Sequence, residues 1–208
     1  MDHNQKSSTN VLEKAISESY SKDSAEKFDR IEKRYNDVNK AKLRSQLDRF
    51  RAEAVSMTFM SMMLEKHSST LLGNFLRATH MPRPGARWEA HHIVSGGHRD
   101  AEEARTVLAS DDIKIRIDDP DNGCWMPKTK ADARPTIYPN AIGHNRIHRQ
   151  RYYRWIFNTI LPMTNAGMVR AFLLTVRAQL LQGNIKDELL LQEEIDDIEY
   201  EQWLKSQR

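Results

Sequence analysis

Along the first part of the chain, apolar residues return every three or four positions with charges between them. Phe28, Ile31, Tyr35 and Val38 form one such series; Leu43, Leu47, Phe50, Ala54 and Met57 form the next. That period places them on one helix face, so it predicts a helix over 11–36 and a second long helix from Leu43 onward. The methionine-rich stretch 57–64 reads as the core-facing end of that second helix, with an adaptable partner-binding surface as the alternative. Leu71, Leu72, Phe75 and Leu76 predict another short helix, and Met81-Pro82-Arg83-Pro84-Gly85 breaks the pattern.

Beyond this break the pattern is mixed. Residues 88–94 read as a short extended segment, turned by Ser95-Gly96-Gly97. Asp100 is placed to cap a helix over 101–109, with Glu102 and Glu103 in its first turn. Ile113, Ile115 and Ile117 alternate with polar residues, the pattern of a half-buried strand. Asp118-Asp119-Pro120-Asp121-Asn122-Gly123 is a turn, residues 124–126 a second short strand, and 128–140 a loop. A helix is expected over 141–161, ending near Pro162. Met168, Phe172, Val176 and Leu180 form a last apolar stripe stopped near Gly183, followed by an acidic helix from Ile185. The fold class is therefore α+β and predominantly helical. It divides into an N-terminal helical region (1–82), a core (83–161) and a C-terminal helical region (162–208).

Composition narrows the picture. The 208 residues suit one domain with flanks, and 29% charged residues against 39% hydrophobic ones suit a soluble, helix-rich chain. A net charge of +3 says little about nucleic acid, so the distribution of charge must carry that argument. No apolar run is long enough to span a membrane, and the first residues hold no apolar signal-peptide core. Export, if it occurs, is expected by a route that reads no such signal. The single cysteine, Cys124, excludes an intramolecular disulfide and a cysteine-only zinc site. The acidic run after Ile185 reads as a solvated face; a docking surface or an acidic cover over a basic site is the sharper reading.

The candidate chemistry lies in histidines. In Trp88-Glu89-Ala90-His91-His92-Ile93-Val94, adjacent histidines would point to opposite sides of a regular strand, and a bend would bring both to one site. His144 and His148 are four residues apart and share a face if that segment is helical. His91, His144 and His148 can then supply three nitrogen ligands to one metal ion, with open positions for water or phosphate. His92 remains as a general base whose ordinary pKa, near about 6.5, suits proton transfer from water. Asn122 can bridge backbone groups across its turn, and Gly123 permits close approach or positive φ. Arg146, Arg149 and Arg151 surround the second histidine pair and are candidates for holding a phosphate backbone. Tyr152 continues the His144/His148 face as a possible substrate contact. His3, His67 and His80 read as surface or packing residues, and Cys124 as a small buried group.

Three stretches together resemble the AHH nuclease family of the HNH/endonuclease VII superfamily: Glu89-Ala90-His91-His92-Ile93-Val94, Asp121-Asn122-Gly123-Cys124-Trp125-Met126-Pro127, and His144-x-x-x-His148 with Tyr152-Tyr153. The resemblance covers roughly residues 86–158. It implies a central ββα-metal core, in which a two-stranded hairpin and a helix clasp one divalent ion (Zn, Mg, Mn or Ni). It also implies His92 as general base, His91 as ligand and Asn122 as the central structural asparagine. By similarity to colicin-type relatives, His144 and His148 are the helix ligands. Many such domains are bacterial toxins, exported by specialised secretion systems, active on DNA in a target cell, and neutralised by an immunity protein. The gap between Asn122 and His144 is longer than in the compact colicin type. An RNase and a phage or defence nuclease are alternatives within the fold. A zinc-stabilised binding module, closed by His98 or Cys124 as fourth ligand, is an alternative outside catalysis, as is a helical scaffold with ordinary histidines. A zinc metalloprotease is discounted because asparagine stands at position 145, where its base would be.

Overall fold

The computed structural model describes residues 5–134 and 136–190. The chain falls into two compact units, residues 1–42 and 43–208. The expected divisions at 82 and 161 lie inside the second unit. The first unit belongs to one long helix, α1 (Gln5–Ala54), and on this stretch Phe28, Ile31, Tyr35 and Val38 are exposed. The two helices expected on either side of position 40 are a single element, because no glycine or proline lies between them.

In the second unit, the end of α1 contributes Leu47 and Phe50 to a small cluster with Phe75 and Ala78. The helix stops at Ala54, so the methionine-rich stretch does not continue it. That stretch forms a separate short helix, α2 (Phe59–Met63), capped by the Thr58 hydroxyl, and Met60 and Leu64 are exposed while Met62 alone is buried. The core-facing expectation for it is therefore corrected. α3 (Ser69–Ala78) is capped by Ser68, whose hydroxyl accepts from Leu71 N–H at 3.2 Å.

Strands β1 (Trp88–His92) and β2 (Gly123–Pro127) pair antiparallel, with His91 opposite Cys124 and His92 opposite Gly123. Two tryptophans anchor this hairpin. Trp88 and Trp125 pack with Leu72 and Leu76 of α3, and their indole N–H groups donate to Asp132 O (3.1 Å) and Met81 O (2.9 Å). Gly123 is extended (φ −131°); its role is room, since a Cβ there would lie 2.5 Å from Leu72 Cδ1.

Between the strands run a 3-10 turn (Arg99–Ala101), α4 (Glu102–Ala109) and a second 3-10 turn (Pro120–Asn122). His98, not Asp100, caps the first turn, its Nδ1 accepting from Asp100 N–H. Ile113, Ile115 and Ile117 are buried as their alternation predicts, yet they form no strand. Lys114 adopts φ +49°, which breaks the extended run, and among the described residues no partner strand lies alongside.

α5 (Gln150–Ile160) and α6 (Ala166–Gln182) close the main core against α4, burying Tyr152, Tyr153, Ile156, Val169, Leu173, Val176 and Leu180. The helix expected over 141–161 therefore starts nine residues late. His144–Arg146 is a 3-10 turn, and Arg149 is extended (φ −134°, ψ 140°). Glycine, asparagine and two histidines within six positions are poor helix formers. Gly143 also packs directly on the 129–130 backbone, where a Cβ would lie 2.9 Å from Lys130 N. After α6, a 3-10 turn (Asp187–Leu189) replaces the start of the expected acidic helix, whose remainder lies outside the described residues.

Candidate metal centre and catalytic histidines

Three imidazoles converge at one end of the hairpin. His91 Nδ1 lies 3.2 Å from His144 Nε2, and His144 Nε2 lies 3.0 Å from His148 Nε2. A tetrahedral ion with bonds of about 2.05 Å to nitrogen separates its ligand atoms by about 3.3 Å, so the spacing fits a shared cation. Among the described residues this is the group with ligand spacing; neither His98 nor Cys124 joins it. His144 and His148 meet through the 3-10 turn and its cap Ile147, ahead of α5, not through an α-helical i,i+4 face.

Each of the last two imidazoles has its second nitrogen pinned. His144 Nδ1 faces Glu89 Oε2 at 2.9 Å, and His148 Nδ1 faces the Tyr153 hydroxyl at 2.8 Å. Both contacts turn the Nε2 lone pair inward, the arrangement that fixes tautomer and ring angle in metal sites. Burial, then the charges of His144 and His148, hold His91 well below the ordinary histidine range. Burial likewise pushes His148 down to about 3. Neutral imidazole is the form that ligates. The Glu89 carboxyl is held below its usual range, chiefly by its hydrogen bond to His144.

His92 has different neighbours. The strand is regular through His92, and the bend begins one residue later, at Ile93. The expected bend at the histidine pair is thus displaced. His92 Nε2 lies 2.7 Å from Asp118 Oδ1, both groups being buried. Asp118 is itself held by Ser68 N–H, at 2.9 and 3.0 Å from its two oxygens. An Nε2–H donated to Asp118 leaves Nδ1 as the basic nitrogen. His67 packs edge-on against His92 with ring centroids 5.5 Å apart, in keeping with its reading as a surface or packing residue.

Asn122 ties these parts together and is fully buried. Its Oδ1 accepts from Val94 N–H at 2.8 Å, and its Nδ2 donates to Val94 O at 3.1 Å and Ile117 O at 2.9 Å. Its carbonyl also accepts from Ile93 N–H at 2.8 Å. The preceding turn is clamped from outside. Arg51 and Arg170 both bond Asp119 and Asp121, and Arg177 donates to Gly123 O at 2.7 Å and to Pro120 O.

The sequence-selected arginines differ in their surroundings. Arg146 lies beside Asp187, Arg149 donates to Leu190 O, and Arg151 is exposed on α5. Tyr152 is fully buried, and the histidine contact belongs to Tyr153. Burial pushes the Cys124 thiol up to about 12, which keeps it from acting as a nucleophile. Asp118, Glu89 and Tyr153 were not singled out from sequence. Glu89 beside the histidine pair and Tyr153 five residues after His148 offered only proximity.

No helix among the described residues is long and apolar enough to cross a membrane. The model of a nuclease family of the HNH/ENDO VII superfamily with conserved AHH matches residues 72–182, just over half of the chain. No curated protein and no solved structure matches.

Proposed function

The chain belongs to the AHH nuclease family of the HNH/endonuclease VII superfamily, and on that premise we propose that it hydrolyses DNA phosphodiester bonds with one divalent cation and His92 as general base. The observation that carries this reading is the convergence of His91, His144 and His148 at ligand spacing. A divalent cation there supplies charge neutralisation at the phosphate and at the departing oxygen.

The protein's own groups do the rest. Asp118 holds His92 by Nε2–H, so Nδ1 takes the proton from the attacking water, and the resulting imidazolium stays paired with the carboxylate. Glu89 and Tyr153 keep His144 and His148 facing inward. Asn122 keeps the strand end and the turn in register, so His92 and Asp118 meet. By family habit the nuclease acts as an antibacterial effector, delivered into a target cell and restrained by an immunity protein.

The test is cleavage of plasmid DNA and of an RNA by wild type and His92→Ala, each with Mg²⁺, Mn²⁺, Ni²⁺, Zn²⁺ or EDTA. Metal-dependent DNA cutting should fall by about 10²–10⁴-fold in the variant. Near-normal cutting by His92→Ala refutes the base, and cutting of RNA alone replaces the substrate. His148→Ala should bind metal more weakly; unchanged metal content removes it from the ligand set.

A further inference from the structure

An open groove of about 490 Å³ runs from His144 and Glu89 past Trp125 to the first turn of α3. Its basic groups are Arg77 and Arg83, whose guanidinium carbons lie 5.4 and 5.8 Å from the centre of the Trp125 ring. Both arginines are exposed, whereas the ring beneath them is buried. Arg83 is further fixed by Trp88 O (2.6 Å) and Ala86 O (2.7 Å), and Arg77 by Asn74 Oδ1 (2.9 Å). A ring face and backbone carbonyls thus hold two guanidiniums in place without cancelling their charge. Ser69 and Thr70 add hydroxyl-bearing side chains along the same wall. The groove's one carboxylate, Glu89, is engaged by His144.

The surface beside α5 is less suited to a polyanion. The cavity there sets Arg99 and Arg154 against Asp100, Glu102 and Glu103. Arg146 and Arg149 are directed to Asp187 and Leu190 O.

We propose that the groove over Trp125 seats the substrate strand next to the cleavage site, with Arg77 and Arg83 binding its backbone phosphates. This rests on the nuclease reading and names where its substrate lies. Backbone contacts of this kind fix position without reading sequence.

The experiment measures binding of fluorescein-labelled duplex and single-stranded DNA to metal-loaded His92→Ala protein over a KCl series. The same series is run on His92→Ala combined with Arg77→Ala, Arg77→Lys, or Arg151→Ala/Arg154→Ala. Loss of one phosphate contact should reduce the slope of log affinity against log salt by about 0.9 for duplex and about 0.7 for single strand. Arg77→Ala should show that loss, Arg77→Lys should recover most of it, and Arg151→Ala/Arg154→Ala should leave the slope unchanged. Arg77 is exposed and touches Asn74 on its own helix and the Trp125 ring, so a thermal melt of each variant by circular dichroism checks that the fold is kept. In a cutting enzyme Arg77→Ala should raise KM and spare kcat. If wild type cuts DNA but the slope and KM of Arg77→Ala match those of its parent, the groove assignment is overturned while the nuclease reading stands. A slope lost only in Arg151→Ala/Arg154→Ala overturns it in favour of α5. If wild type neither binds nor cuts nucleic acid, the nuclease reading falls and the groove assignment with it.

Discussion

Replacing Asn122 by alanine should cost more stability than removal of a typical surface group, and the structure gives the scale. The side chain is fully buried and makes three hydrogen bonds, to Val94 N–H, Val94 O and Ile117 O. Alanine leaves one buried donor and two buried acceptors facing a space too dry to solvate them. An orphaned buried group costs roughly 1–3 kcal/mol, so three span about 3–9 kcal/mol, and local relaxation keeps the loss near the lower end of that range, about 3–5 kcal/mol. Total stabilities are about 5–15 kcal/mol, so the variant remains folded at room temperature but with little margin. For a chain of this size each kcal/mol lowers Tm by about 2–4 °C, which places the drop at roughly 6–20 °C. Urea unfolding followed by circular dichroism reads the same loss as a lower midpoint with unchanged slope. Asn122→Asp should not rescue it. The acceptor to Val94 N–H survives, but the second oxygen then faces two carbonyls. A loss below about 1 kcal/mol in Asn122→Ala would refute the reasoning, because the three partners would then have found water or each other.

Other expectations concern groups behind the histidines. Asp118→Asn should keep the packing but no longer favour the His92 tautomer with a basic Nδ1; kcat should fall by about 10²-fold or more with KM and metal content held, and an unchanged kcat removes Asp118 from the mechanism. Glu89→Gln and Tyr153→Phe each loosen one ligand's second nitrogen, so metal affinity should drop by about 10–100-fold by competition with a chromogenic chelator. Equal affinity in both variants would show that packing alone orients His144 and His148.

The triad was legible from residue type, because few side chains other than histidine give a chain with one cysteine three nitrogen donors. The groups that orient it were not. Glu89 and Tyr153 have ordinary neighbours in sequence and acquire their roles only when the strand meets the turn at His144. Asp118 sat inside a run read as a turn, and nothing local distinguishes the carboxylate that meets His92 from those that meet arginines. Periodicity found α3 and α6, and among the places it misread two are instructive. The isoleucines at 113, 115 and 117 alternate in burial without a partner strand, and the helix after the last histidines starts only beyond Arg149. Both errors have one cause: a pattern reports which side is buried, while backbone hydrogen-bond partners are set by tertiary structure.

The clamp on the turn at Asp119 and Asp121 has a consequence for when the chain can act. Arg51 holds this turn from one side, and Arg170 and Arg177 from the other. His148 is the last histidine in the sequence. A chain leaving the ribosome therefore presents every imidazole before it has the two arginines that fix the loop bearing Asp118 and Asn122. On the nuclease reading, the groups of the site are then held in alignment only once α6 has been made.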